Sequence, residues 1–130
     1  MYNFGLGDCI SRLNAARASR LKTVKIHNTK VNQLFLKCLV DTGVIAGVFM
    51  RNKDFLIVFF KYNKRICSFK RIKLISKPGK KIYWNLTAIS RNIEKSSSSL
   101  IIVSTTKGML LGTDCLWLGQ GGEPIAEVYL

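Results

Sequence analysis

Leu100-Ile101-Ile102-Val103-Ser104-Thr105-Thr106-Lys107-Gly108 sets a short apolar strand directly before three hydroxyls, a lysine and a glycine. Four aliphatic residues in a row suit a strand of a buried sheet. The polar end suits a turn at the tip of a rigid element, where short side chains reach out at little entropic cost. Hydroxyls placed this way meet sugar 2′-OH groups, phosphates and base edges. Ser104 and Lys107 also fit an S-x-x-K nucleophile pattern, but the S-D-N and K-T-G partners of that chemistry are absent from the sequence. Binding is therefore the reading of Ser104–Gly108.

Working outward, Gly119-Gln120-Gly121-Gly122-Glu123 precedes a closing strand at Ile125–Leu130. A glycine run that opens a strand instead of a helix is a turn, not a dinucleotide fingerprint. Upstream, Ser76-Lys77-Pro78-Gly79 is a strong turn signal. Gly79-Lys80 lacks the spacing of a phosphate loop and no helix follows at once, so it too is a turn. Lys80–Trp84 then reads as strand, Leu86–Ile93 as a short helix and Ser96–Ser99 as a polar loop. Tyr83 stacks on a base or sugar while Trp84 packs inward, or the reverse. The segment from Met109 to Leu118 is weakly patterned.

In the first half, Leu6, Ile10, Leu13 and Arg17 follow a helical period over residues 4–17. A basic strand is expected at Lys22–Ile26. Asn28 or Thr29 supplies an N-cap for a second helix, whose apolar stripe is Val31, Leu34, Phe35, Cys38 and Leu39, ended by Gly43. Val44–Arg51 and Phe55–Tyr62 follow as strands. These elements make an αβαββ unit with two helices able to cover one face of a small sheet. From Lys61 to Lys81 there are nine basic residues and no acid, interleaved with Ile66, Phe69, Ile72 and Leu74, which reads as strand with one positive face. The domain boundary falls near residue 65. The expected fold is α+β: residues 1–65 form the αβαββ domain, and residues 66–130 a mainly β domain with a short helix.

The 130 residues carry 21 Lys+Arg against 7 Asp+Glu, a net charge of +14, and are 48% hydrophobic. A disordered basic tail lacks that apolar content, so the chain has a core under a positive surface. Such a surface calls for a polyanion, nucleic acid or an acidic membrane. The longest uninterrupted apolar run, Phe55 to Phe60, is far short of the ~20 residues a spanning helix needs. The opening MYNFGLGDCI has neither a secretory pattern nor, with Asp8 early, that of an import peptide. No Lys or Arg follows Lys107, so polyanion contact beyond it rests on neutral polar groups and backbone.

Cys9, Cys38, Cys67 and Cys115 are widely separated and form no C-x-x-C pair, so they read as buried small hydrophobes in a reducing compartment. His27 is the one histidine and reads as a linker residue before the second helix. The carboxylates are few and scattered. No metal site, cofactor, catalytic group or small-molecule substrate is expected.

Together these segments resemble a known family. Ser76-Lys77-Pro78-Gly79-Lys80-Lys81-Ile82-Tyr83 is similar to the S-[RK]-P-G-x-[RK]-x-Y segment of the universal small-subunit ribosomal protein eight family. Val103-Ser104-Thr105-Thr106-Lys107-Gly108 resembles its V-S-T-S-[KR]-G signature, and Gly121-Gly122-Glu123 its G-G-E. Asp8-Cys9-Ile10-Ser11-Arg12-Leu13 is similar to the family's D-x-[LI]-[ST]-R-[IL] helix, and Asn28-Thr29-Lys30 stands in the place of its S-S-K. The resemblance runs from about residue 4 to residue 130.

It implies a small-subunit ribosomal RNA-binding protein, whose second domain grips an irregular helix in the central domain of that RNA and whose neighbours are other small-subunit proteins. Ser104, Thr105 and Thr106 would approach bases and backbone, with Lys107 and Gly108 shaping the loop. Tyr83 would add an aromatic contact and Glu123 a hydrogen bond. Arg12, Lys30, Lys77 and Lys81 would meet phosphates. A free-standing RNA-binding regulator outside the ribosome is the alternative. Thr106, Thr113, Leu116 and Asn14 depart from the family pattern, and Leu116-Trp117-Leu118 faces a protein neighbour or the core. Such drift, with a match that begins close to Met1, points to a mitochondrial small subunit, with plastid or bacterial cytoplasm as the alternative.

Overall fold

The computed structural model describes residues 2–77, 79–95 and 99–130, with side chains from residue 5 onward. The chain divides into two compact units, Met1–Arg71 and Ile72–Leu130. That division lies a few residues beyond position 65, for a visible reason. The Ser68 amide donates to Lys61 O at 3.0 Å, its hydroxyl to Val44 O, and the Phe69 and Phe60 rings lie 5.9 Å apart. Ser68 and the buried Phe69 thus pack with the first unit.

Unit 1 runs α1 (Tyr2–Ala18), β1 (Thr23–His27), α2 (Lys30–Asp41), β2 (Ile45–Met50), β3 (Phe55–Phe60), β4 (Tyr62–Asn63) and β5 (Ile66–Cys67). The sheet order is β1-β3-β2, with both pairings antiparallel. In α1, Leu6, Cys9, Ile10, Leu13 and Ala16 are buried, a three-and-four spacing that places them on one helix face. On β3, Leu56, Val58 and Phe60 are buried, the alternation expected of a sheet covered on one side. Thr29 caps α2 by accepting the Asn32 amide at 3.1 Å, a bond whose loss costs about 1 kcal/mol.

Three expectations change in unit 1. The α2 core stripe holds Asn32 and Leu36 in place of Leu34, which is exposed. Asn32 turns inward because its Nδ2 donates to His27 O at 2.9 Å, tying α2 to the end of β1. His27 is the last residue of β1 and not a linker. The basic stretch after Phe60 is no continuous strand: the two-residue strands β4 and β5 pair across Lys64 and Arg65, both at positive φ.

Unit 2 is built from β6 (Arg71–Leu74), α3 (Leu86–Lys95), β7 (Ser99–Thr105), β8 (Gly108–Leu111), α4 (Gly112–Leu118) and β9 (Glu123–Tyr129). Its sheet has the order β6-β9-β7-β8. Ile89 of α3, Ile101 and Val103 of β7 and Cys115 of α4 form a buried cluster, joined by Ile75, Trp84, Ile93 and Leu110. The weakly patterned segment resolves into β8 and α4, and Gly119 at φ 65° closes that helix. Lys80–Trp84 forms no regular strand. The Lys77 and Lys80 backbones bond to each other at 3.2 and 2.9 Å, and the Ile82 amide turns to Ser76 Oγ. Pro78 and residues 96–98, parts of the expected turn and loop, lie outside the described residues.

Candidate nucleic-acid interface

Unit 2 holds seven basic and four acidic residues, against fourteen and three in unit 1. Neutral donors and backbone therefore make up more of its polar surface than they do in unit 1's strongly basic sequence. The strand-to-turn step at the end of β7 builds the centre. Thr105 pairs with Gly108 across a hairpin, leaving Thr106 and Lys107 exposed at its tip. Gly108 takes φ 112°, a conformation open to glycine and strained for other residues.

The three hydroxyls are not equivalent. Thr105 Oγ1 donates to Gly108 O at 2.9 Å and accepts the Lys107 amide at 3.1 Å, so it holds the turn from within. Ser104 and Thr105 are half-buried, while Thr106 is exposed.

Beneath the hairpin lies the glycine pair. A Cβ on Gly122 would stand 2.3 Å from Ser104 O and 3.0 Å from Thr105 Cγ2. One on Gly121 would stand 2.9 Å from Trp84 O and 3.1 Å from the Tyr83 hydroxyl. Glycine at both positions lets three segments close on one another. Trp84 and Gly122 exchange backbone bonds at 2.8 and 3.0 Å. Trp84 is thereby half-buried against the core, while Tyr83 points outward with 71% of its surface exposed. Of the two rings, Trp84 is the one that packs inward.

Glu123, first residue of β9, accepts a hydrogen bond from the buried Ser76 hydroxyl, which in turn accepts the Ile82 amide at 3.3 Å. This pair anchors the segment that carries Lys77, Lys81 and Tyr83. Lys77 is exposed and lines a groove with Lys73, Lys80, Ile82 and Trp84. Lys81 is exposed as well. Ser104–Gly108, Tyr83, Glu123, Lys77 and Lys81 all belong to unit 2. Arg12 and Lys30 belong to unit 1: Arg12 pairs with Asp8 at 2.9 Å along α1, and Lys30 opens α2, exposed.

Sequence reasoning missed Ser76 as the anchor of this surface, since a serine before a turn is ordinary until its burial is seen. It gave no binding role to Lys73 or to Lys80, both of which line the groove. The Leu116–Leu118 segment is outward-facing. Cys115 is buried while Trp117 is 90% exposed, with Leu116 and Leu118 also on the surface. Burial, then the neighbouring Asp114, pushes the Cys115 thiol above its ordinary range. Among the described residues no group of three or more His, Cys, Asp or Glu is arranged to hold a metal ion.

The family model for ribosomal protein S8 matches residues 5–129. The small ribosomal subunit protein uS8 of Campylobacter hominis is 35% identical over 99% of this chain and all of its own length. That of Nitratiruptor sp. is 34% identical with the same coverage of both chains. The small ribosomal subunit protein uS8c of Tetradesmus obliquus is 30% identical over 99% of this chain and all of its own. On a match that spans both units and every motif assembled around Ser104, the chain belongs to the ribosomal protein S8 family.

Proposed function

We propose that this chain is a structural constituent of the small ribosomal subunit, which binds small-subunit ribosomal RNA through unit 2 and helps it assemble for translation. The observation that carries the proposal is the Ser104–Gly108 hairpin seated on Gly122, beside an exposed Tyr83 whose hydroxyl lies over Gly121. Ser104 and Thr106 read the irregular shape of an RNA helix in the central domain, Thr105 and Gly108 hold the turn, and Tyr83 offers a face for a base or sugar. Lys107, Lys77 and Lys81, with Arg12 and Lys30 from unit 1, meet phosphates and release counterions, so affinity falls steeply with salt. Glu123 acts through the segment it anchors. The exposed Leu116, Trp117 and Leu118, in a stretch without Lys or Arg, suit a neighbouring subunit protein.

Two variants test the division of labour. Ser104→Ala with Thr106→Ala weakens the cognate RNA helix much more than random duplex. Lys77→Ala weakens both alike and flattens the salt slope by about one unit at most. Equal losses on both RNAs for the hydroxyl variant sink the role given to the hairpin. Co-sedimentation with small subunits in high salt supports the ribosomal placement, and a chain that washes off entirely favours a free-standing regulator. The compartment we propose is the mitochondrion, supported by departures such as Thr113 and Leu116 at positions where the family often has Arg. Fractionation of cells carrying the tagged full chain tests it, with plastid or bacterial cytoplasm as the opposing results.

A further inference from the structure

The unit 1 sheet keeps one face clear of its helices, and that face is both aromatic and basic. Residues paired across neighbouring strands project to the same side of a sheet. The pairs Phe49↔Ile57, Gly47↔Phe59, Lys25↔Ile57 and His27↔Phe55 therefore gather Phe49, Phe55, Ile57 and Phe59 opposite the buried Leu56, Val58 and Phe60. Phe49 is 62% and Phe59 43% exposed. Phe55 is already engaged: Lys25 Nζ lies 4.1 Å from its ring centroid and the His27 ring 5.1 Å from it.

We propose that this face is a second RNA site, which stacks the unpaired bases of a single strand on Phe49 and Phe59. It goes beyond the interface described above, because it uses none of the residues assigned there. Three observations favour RNA over other occupants. Phe59 and Phe49 stand diagonally on neighbouring strands, a separation of about 7–8 Å that successive unstacked bases can span. Nothing lies within 4 Å of where a Gly47 side chain would begin, so space is open beside the Phe59 ring for an inserted base. The charge is complementary to a polyanion. Lys25 is on the strands, Lys22, Arg51 and Lys53 adjoin their ends, and the three acids of unit 1 sit on α1, α2 and the β2–β3 turn. Aromatic platforms inside a positive rim are the physical recipe for single-strand binding, with every base offering a face to stack. A plain apolar docking site has no use for such a rim.

The test uses the full chain and a fluorescently labelled single-stranded oligoadenylate, beside a duplex of equal length, at several salt concentrations. Phe49→Leu with Phe59→Leu keeps the apolar surface and removes the ring faces. We expect the oligoadenylate affinity to fall about tenfold or more. Duplex affinity and the salt slope should stay unchanged, since no phosphate contact is lost. Phe49→Trp with Phe59→Trp should bind the oligoadenylate at least as well as the parent, and thermal unfolding of each variant checks its fold. A Leu variant that binds the oligoadenylate like the parent overturns the proposal and leaves the face to a protein neighbour. The Ser104→Ala, Thr106→Ala variant should retain oligoadenylate binding, so failure of the hairpin reading and failure of this one are seen separately.

Discussion

The Ser76 hydroxyl is buried between two partners, donating to the Glu123 carboxylate at the head of β9 and accepting the Ile82 amide. One oxygen thus fixes the course of the lysine-bearing segment against the last strand. Ser76→Ala removes both bonds at once. Bonds to charged groups contribute about 1.5–3 kcal/mol, so urea unfolding should show a loss of that order. Affinity for cognate RNA should fall as well, because Lys77, Lys81 and Tyr83 lose their common anchor.

Gly122 and Gly5 should respond in opposite directions to alanine. At Gly122 the new Cβ would meet the Ser104 carbonyl at 2.3 Å, and rigid backbone cannot yield as a side-chain tip would. A loss of about 2 kcal/mol or more is expected, in the upper range of overpacking costs. Gly5 lies inside α1 with nothing within 4 Å, so Gly5→Ala should raise stability by about 0.5–1 kcal/mol. Thermal unfolding of the two variants checks both signs.

Thr105 and Thr106 separate positioning from contact. Thr105→Val breaks two bonds within the turn and should cost about 1 kcal/mol of stability together with RNA affinity. Thr106→Val, at an exposed tip, should leave the unfolding midpoint within experimental scatter and weaken cognate RNA alone. Measuring unfolding and RNA binding on both variants distinguishes the two roles.

The Cys9 thiol is pushed up from 9.0 to about 12, first by burial and then by the neighbouring Asp8, with Arg12 opposing. At pH 8 it carries about a thousandfold less thiolate than an ordinary cysteine. Alkylation of the native protein should therefore modify the half-buried Cys67 and spare Cys9 until the chain unfolds. The linkage has a definite sign. Between pH 9 and 12 the folded state keeps a proton that the unfolded state releases, so stability falls as pH rises through that window, with no effect of this group below 9. The stability difference between the parent and Cys9→Ala should shrink accordingly from pH 9 upward.

The αβαββ order was legible because its signals are local: the Thr29 cap, the alternation along β3 and the glycine after α2 each act within a few residues. The Ser104–Gly108 turn was legible for the same reason. What periodicity could not show were pairings distant in sequence. Trp84 bonds to Gly122 and Ser76 to Glu123, and these long-range partners, not strand propensity, decide the path of residues 76–84. Leu34 was misplaced because an asparagine was not expected in a core, and only its bond to His27 O makes that burial tolerable. The α4 helix escaped notice for a related cause: with seven residues and no side-chain cap, it owes its existence to packing on α3.

In unit 2 the strand that comes last in the sequence lies inside the sheet, between β6 and β7. Synthesis proceeds in the other direction. Residues 1–71 can fold as soon as they emerge. In contrast, β6 pairs with β9 alone and β7 lies between β9 and β8, so β6 lacks any strand partner and β7 one of its two until residues 123–129 arrive. Thr105 ties the hydroxyl turn from within, but Gly122 and the start of β9 form its floor, so a chain interrupted before them displays Ser104 to Gly108 without that floor. On the proposed reading of the hairpin, recognition of RNA therefore waits on residues 121–129.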